Sequence, residues 1–146
     1  MKIGDLCKQD FVIGTGPEMS IREAASRMTE ESVGCLIVTD RTGSLAGIIT
    51  DRDIMTRVVA KGLDPKKVSV GEAMSHPVVT VSHKLDVEDA AHVLRSHEIR
   101  RLPVLDQHGK VLGVVSFDDL LGAATAELCD LAGVVGAACR AVQDKE

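Results

Sequence analysis

Two short stretches place chemically capable side chains at a fixed spacing. GIITDRD (Gly47–Asp53) and GVVSFDD (Gly113–Asp119) share one pattern: glycine, two aliphatics, a hydroxyl, two variable residues and an aspartate. They stand 66 residues apart. The glycine lets the backbone run close to a neighbour. The hydroxyl residue stands where a strand would give way to a helix. A helix N-terminus presents unpaired N–H groups and positive potential, a ready seat for an anion, and the hydroxyl adds one hydrogen bond. The aspartate, one turn on, can accept hydrogen bonds from two adjacent hydroxyls of a bound molecule. The same T-x-x-D spacing is also a capping-box variant in which hydroxyl and carboxylate only close the helix start. The two readings are compatible.

Other constellations are weaker. The histidines, His76, His83, His92, His97 and His108, show no HExxH or Cys/His ligand spacing, and His92 and His97 sit five apart, a poor geometry for one metal on a helix. Gly14-Thr-Gly16 lacks the rest of a phosphate-binding loop, and no GxSxG is present. Catalysis therefore has no visible carrier, and the expectation is a protein that is not an enzyme. Cys7, Cys35, Cys129 and Cys139 form no CxxC pair, which fits reduced thiols in a cytoplasmic protein. The net charge of −5, with two Phe and no Tyr or Trp, argues against nucleic-acid binding. The apolar runs are too short for a membrane span, and MKIGDLCKQD has no secretory h-region.

The elements that must hold the two stretches repeat as well. VGCLIVTDRTGSLAGIITDRDIM (33–55) falls on IRRLPVLDQHGKVLGVVSFDDLL (99–121) at an offset of 66. Leu36, Val38, Asp40, Gly43, Gly47 and Asp53 meet identical residues in the second copy. SIREAASRM (20–28) falls on DVEDAAHVL (86–94), and KIGDLC (2–7) resembles SVGEAM (69–74) after a one-residue shift. Such a repeat is the first organising fact of a chain. Each half predicts a short strand (Phe11–Thr15, Pro77–Val81), a helix (Ser20–Glu31, Asp86–His97) and two strands joined by a D-x-x-G turn (Cys35–Thr39 with Leu45–Ile49, Arg101–Leu105 with Val111–Val115). A second helix then opens at Thr50 or Ser116. Ser20 with Glu23 makes a capping box, and Asp86 suits an N-cap. The pattern is β-α-β-β-α twice, an α/β module whose two sheets pack on each other about a pseudo-twofold, because one copy is too small to bury its own sheet. The first repeat occupies residues 1–62, a linker and entry to the second residues 63–76, the second repeat residues 77–125, and a helical extension residues 126–146. Gly133 and Gly136 are expected to weaken or break that extension.

With its RRLPVLD strand entrance and paired G-h-h-[ST]-x-x-D endings, the chain resembles a tandem pair of CBS domains, named after cystathionine β-synthase, over about residues 1–125. The resemblance implies a stand-alone regulatory module with no required cofactor. It would bind AMP, ADP, ATP, NAD(H) or S-adenosylmethionine in clefts between the repeats, dimerise into a disc, and act on a regulated protein partner. It assigns the ribose to Asp53 and Asp119 and the phosphate to Thr50 and Ser116. Composite sites are implied: Thr50 and Asp53 joined by Val78, Val79, Thr80, Arg100 and Arg101; Ser116 and Asp119 joined by Val12, Ile13, Gly14, Gly34 and Cys35. The arginine pair makes the Asp53 site the expected polyphosphate site. Arg52 and His76 are further candidates for contact. The alternative is a dimerisation or interaction scaffold whose sites are degenerate and empty.

Overall fold

The computed structural model describes residues 1–7 and 14–143, with side chains described as far as Gly136. Its elements, in chain order, are α1 (Ile3–Leu6), β1 (Gly14–Thr15), α2 (Ile21–Glu30), β2 (Cys35–Thr39), β3 (Leu45–Thr50) and α3 (Asp51–Ile54), which continues as a π-helical turn over Met55–Val59. There follow α4 (Val70–Ala73), β4 (Val81–Ser82), α5 (Val87–Ser96), β5 (Arg101–Leu105), β6 (Val111–Ser116) and α6 (Phe117–Gln143).

Each half forms a three-stranded sheet of the same topology. β1 runs parallel to β2 and β2 antiparallel to β3; β4, β5 and β6 repeat this, with a register shift at the matching place, Val38/Thr39 and Val104/Leu105. The D-x-x-G turns form as their chemistry requires. Asp40 Oδ1 accepts from the Thr42 and Ser44 N–H groups at 2.8 and 3.0 Å, and Asp106 Oδ1 from His108 and Lys110 at 2.7 and 2.9 Å. Gly43 and Gly109 take the left-handed φ of +82° and +79° that closes the turn. Both first helices end alike as well, on a non-glycine left-handed residue: Ser32 at φ 55° and Glu98 at φ 52°.

Period-two alternation sorts the strands into layers. Leu36, Val38 and Ile49 pack under α2 with Ile21, Ala24 and Met28; Leu102, Val104 and Val115 pack under α5 with Ala90 and Leu94. The opposite faces meet each other, where Cys35 and Ile37 of the first sheet bury Val114 of the second, with Leu45, Ile48 and Val111 around them. The mixed α/β class and the two sheets packed face to face are thus present.

The short helices dock crosswise. Ile3 of α1 lies in the second core, its N–H donating to Leu85 O at 2.8 Å, while Gly4 N–H reaches His83 O at 3.0 Å. Val70 and Ala73 of α4 lie in the first core, with Val70 N–H on Met19 O at 2.8 Å and Gly71 N–H on Pro17 O at 2.9 Å. A Cβ at Gly4 would stand 2.9 Å from His83 O, and one at Gly71 3.2 Å from Pro17 O, so each glycine admits a close backbone approach. The segment 63–76, a linker by sequence, therefore completes the first core.

Three expectations are corrected, and part of a fourth lies outside the described residues. Strand structure in the second repeat covers Val81–Ser82 rather than Pro77–Val81; residues 77–80 run as irregular chain after the cis His76–Pro77 bond. In the first repeat only Gly14–Thr15 of the expected strand is described, and the remainder, Val12 and Ile13 included, lies outside the described residues. Asp86 stands at the N-cap of α5 but makes no cap hydrogen bond, because Lys2 Nζ holds its carboxylate at 2.9 Å. α6 runs unbroken through Gly133 and Gly136.

Candidate functional site

At both candidate motifs a strand ends on the hydroxyl residue and a helix begins. Thr50 Oγ1 accepts from Asp53 N–H at 3.1 Å, and Asp53 Oδ2 accepts from Thr50 N–H at 3.0 Å. In the second copy Ser116 Oγ accepts from Asp119 N–H at 3.2 Å, while Asp119 Oδ2 accepts from Ser116 N–H and Oγ–H, both at 2.8 Å. Both are closed capping boxes. The first helical N–H of each is also engaged: Asp51 N–H donates to Gly34 O at 3.0 Å and Phe117 N–H to Arg100 O at 2.8 Å. In α3 the remaining early donor, Arg52 N–H, meets Asp51 Oδ1 at 2.8 Å. The anion seat expected at this helix start is therefore already filled by the chain's own acceptors. Positive charge for a ligand must come from side chains.

Arginines supply it. The first cleft, of about 430 Å³, is walled by Thr50, Arg52 and Asp53 from the first repeat and by Val78, Val79, Arg100 and Arg101 from the second. Ile48, Ser75, Pro77, Glu98 and Ile99 complete its lining. The structure thus brings together every residue expected around Asp53 except Thr80, which does not line the cleft. His76 does not line it either, although its neighbour Pro77 does.

A second cleft, of about 200 Å³, holds Ser116 and Asp119 against Gly34 and Cys35, with Ser32, Val33, Val114 and Asp118. Gly14 sits in β1 and is not in its lining. Arg101 lines this cleft as well as the first. That corrects the expected asymmetry, which gave both arginines to the Asp53 side alone. Arg101 reaches across because its strand position pairs with Ser116, and its guanidinium lies beside Asp51, Nη1 to Oδ1 3.9 Å. Arg100 stays nearer its own repeat, 3.9 Å from Asp118 and 5.8 Å above the Phe117 ring. A hollow of about 490 Å³, lined by Asp51, Arg52, Met55, Arg100, Arg101, Ser116 and Asp118, lies between the two helix starts.

Arg57 escaped the sequence reading. Its Nη2 stands 3.5 Å from Asp53 Oδ1, and the same guanidinium holds Ala73 O at 2.8 Å and Ser75 Oγ at 3.0 Å. The i, i+4 spacing from Asp53 was the available signal. The second copy has Ala123 at the matching position, so the two aspartates differ in their neighbours. Burial pushes the Cys35 thiol above its ordinary range, with Arg101 opposing and Asp51 adding to the effect. Cys7 is raised likewise, by burial and then by the nearby Asp119 charge. Among the described residues no group of three or more His, Cys, Asp or Glu could hold a metal, and no helix is long and apolar enough to cross a membrane.

Comparison with known proteins bears on the family and the fold. The family model described as CBS domain matches twice, over residues 3–60 and 70–126. The CBS domain-containing protein YhcV of Bacillus subtilis is 40% identical over 109 residues, covering 75% of this chain and 76% of that one. The uncharacterized protein MK0525 of Methanopyrus kandleri is 33% identical over 121 residues, 83% of this chain but only 61% of its own length. Among solved structures, a protein with CBS domains from Burkholderia ambifaria MC40-6 superposes with a TM-score of 0.80 at 27% identity, covering 86% of this chain and 95% of that one. A hexameric CBS-CP12 protein from bloom-forming cyanobacteria gives 0.76 at 34% identity, over 83% and 69%.

Proposed function

The chain belongs to the CBS-domain family, whose short stand-alone members are regulatory modules, and from that premise we propose that it binds an adenosine nucleotide between its repeats and signals by a change in their packing. The observation that carries this reading is the composite wall of the first cleft. A carboxylate and a hydroxyl from one repeat face two valines and two arginines from the other. This set matches the parts of a nucleotide. Asp53 accepts from the ribose hydroxyls, Val78 and Val79 offer an aliphatic bed for adenine, and Arg100 and Arg101 take phosphate by charge-assisted bonds. Because the ligand would touch both repeats, it favours whichever packing closes the cleft, and the exposed helices carry that shift to a protein partner. The absence of aromatics in the cleft suits a sensor of modest affinity. AMP, ADP, ATP, NAD(H) and S-adenosylmethionine are all candidate ligands, none is required as a cofactor, and no reaction is proposed. The module is cytoplasmic in this reading and self-associates as a homodimer; the hexameric relative supports self-association.

A second reading has its own observation. Both aspartates already close capping boxes, as they would in an interaction scaffold whose clefts stay empty. Calorimetric titration of ligand-free protein with AMP, ATP, NADH and S-adenosylmethionine decides between them. Saturable heat with one of them supports the sensor. No binding to any leaves the scaffold.

A further inference from the structure

From Ala124 to Val135 every residue of α6 is exposed. The helix leaves the second repeat after Leu120, the last residue of α6 in the buried core, and continues to Gln143. That free stretch is an unusual object for a single chain. It carries Gly122, Gly133 and Gly136 and the β-branched pair Val134–Val135, all of them poor helix formers. Among the described residues nothing covers it, and helices of this kind gain most of their stability from burial of an apolar face.

The apolar residues supply such a face. Leu128, Leu131, Val134 and Val135 are each about two-thirds exposed, at 66, 64, 67 and 64%, and Phe117 and Leu121 about half. They are not scattered. Leu121, Leu128 and Val135 recur at seven residues, and Phe117, Ala124 and Leu131 recur at seven between them. This is a spacing of alternating four and three residues, the a and d positions of a heptad. A two-position seam is narrower than the stripe a helix needs to lie on a globular surface, and it is the pattern of a helix paired with a helix. The seam is continuous with the groove where Phe117 and Leu121 meet Ala91, Leu94 and Ile99 of the second repeat.

We propose that α6 pairs in parallel, and in register, with α6 of a second copy of this chain, so that each a and d residue meets its own counterpart. The flanking charges are compatible with pairing to a second copy. The positions flanking the seam between Leu120 and Val134 are Leu120, Thr125, Glu127, Ala132 and Val134, with one charge among them. In the parallel register Glu127 falls opposite Ala132 of the other copy, so no like charges collide and no opposite charge is called for. Asp130 and the small residues Ala126 and Gly133 point away from the seam by the same register. This contact does not depend on any ligand in the clefts.

The test uses the full chain. Light scattering of the wild type should give an oligomer, and Leu128→Asp/Leu131→Asp should halve the mass while leaving the cooperative melt of the body in place, because both positions are exposed. In a Cys129→Ser background, Leu128→Cys should form an interchain disulfide under mild oxidation, and Ala126→Cys, on the outward face, should not. A monomeric wild type overturns the proposal. So does a double variant that keeps its mass, which would put the contact elsewhere on the module. A halved mass without the Leu128→Cys disulfide overturns the parallel register.

Discussion

The Arg101 guanidinium occupies the space beside Gly34 that any side chain there would fill: a Cβ on Gly34 would stand 2.5 Å from Arg101 Nη2 and 3.3 Å from Asp51 Oδ2. One repeat thus leaves room for the arginine of the other, and the arginine borders both clefts. Gly34→Ala should displace Arg101 and weaken a phosphate-bearing ligand by about tenfold, with the fold retained, since a single charge-assisted hydrogen bond is worth about 1.5–3 kcal/mol. Calorimetry with ATP reads this; an unchanged affinity would remove Arg101 from the phosphate site.

Arg100 lines only the first of the two aspartate clefts. Arg100→Ala should weaken ATP there by roughly tenfold or more and adenosine little, because only the triphosphate offers negative charge. Parallel titrations with both ligands test this, and equal losses would show that Arg100 does not touch phosphate.

Asp53 is both cap and proposed ribose ligand. Asp53→Ala should lower stability by about 1 kcal/mol through loss of the cap and abolish binding in the first cleft. Denaturant unfolding and calorimetry on the same preparation separate the effects. A stability loss with affinity unchanged would leave Asp53 a cap alone.

Ser32 and Glu98 hold equivalent left-handed positions after α2 and α5, where Val33 N–H returns to Met28 O and Ile99 N–H to Leu94 O, both at 3.0 Å. Glycine fits this position without Cβ strain. Ser32→Gly and Glu98→Gly should each leave stability unchanged or raise it, by up to about 1 kcal/mol. A clear drop in the urea midpoint for either would mean that the side chain is needed there.

Asp40 and Asp106 are held below the ordinary carboxylate range, Asp40 first by the Thr42 hydroxyl and Asp106 first by the Lys110 N–H. A carboxyl depressed on folding adds stability above its unfolded value, about 4, and that stability is lost as pH falls through the lower folded value. Wild-type unfolding midpoints should therefore drop below about pH 4, and Asp40→Asn/Asp106→Asn should flatten that part of the profile. An identical acid slope in the double variant would locate the titrating groups elsewhere.

Much of this architecture was written locally. The 66-residue offset is read by laying one half of the chain on the other, and the D-x-x-G turns, the Ser20–Glu23 box and the T-x-x-D and S-x-x-D helix starts depend on neighbours within four residues, so residue type and spacing were enough to find them. The packing of the two sheets on each other was expected from the size of one copy, and β2 carries it with Leu36 and Val38 on one face and Cys35 and Ile37 on the other. The pairing of Arg57 with Asp53 lay within reach of the same local reading, at i, i+4.

What tertiary structure alone decided was long-range. Lys2 and Asp86 are far apart in sequence, so nothing local could show that the cap would be taken by a salt bridge. The crosswise docking of α1 and α4 follows from the shape of two cores rather than from either segment. The sharing of Arg101 follows from two sheets meeting face to face, which sets its strand entrance beside Gly34 of the other copy. The sequence by itself determined the repeat, most of its elements and a set of candidate residues, most of which line the two clefts. Only the packing decided that Arg101 borders both clefts and which of those polar groups the protein had already satisfied for itself, because a buried or clustered polar group bonds to whatever the fold brings near.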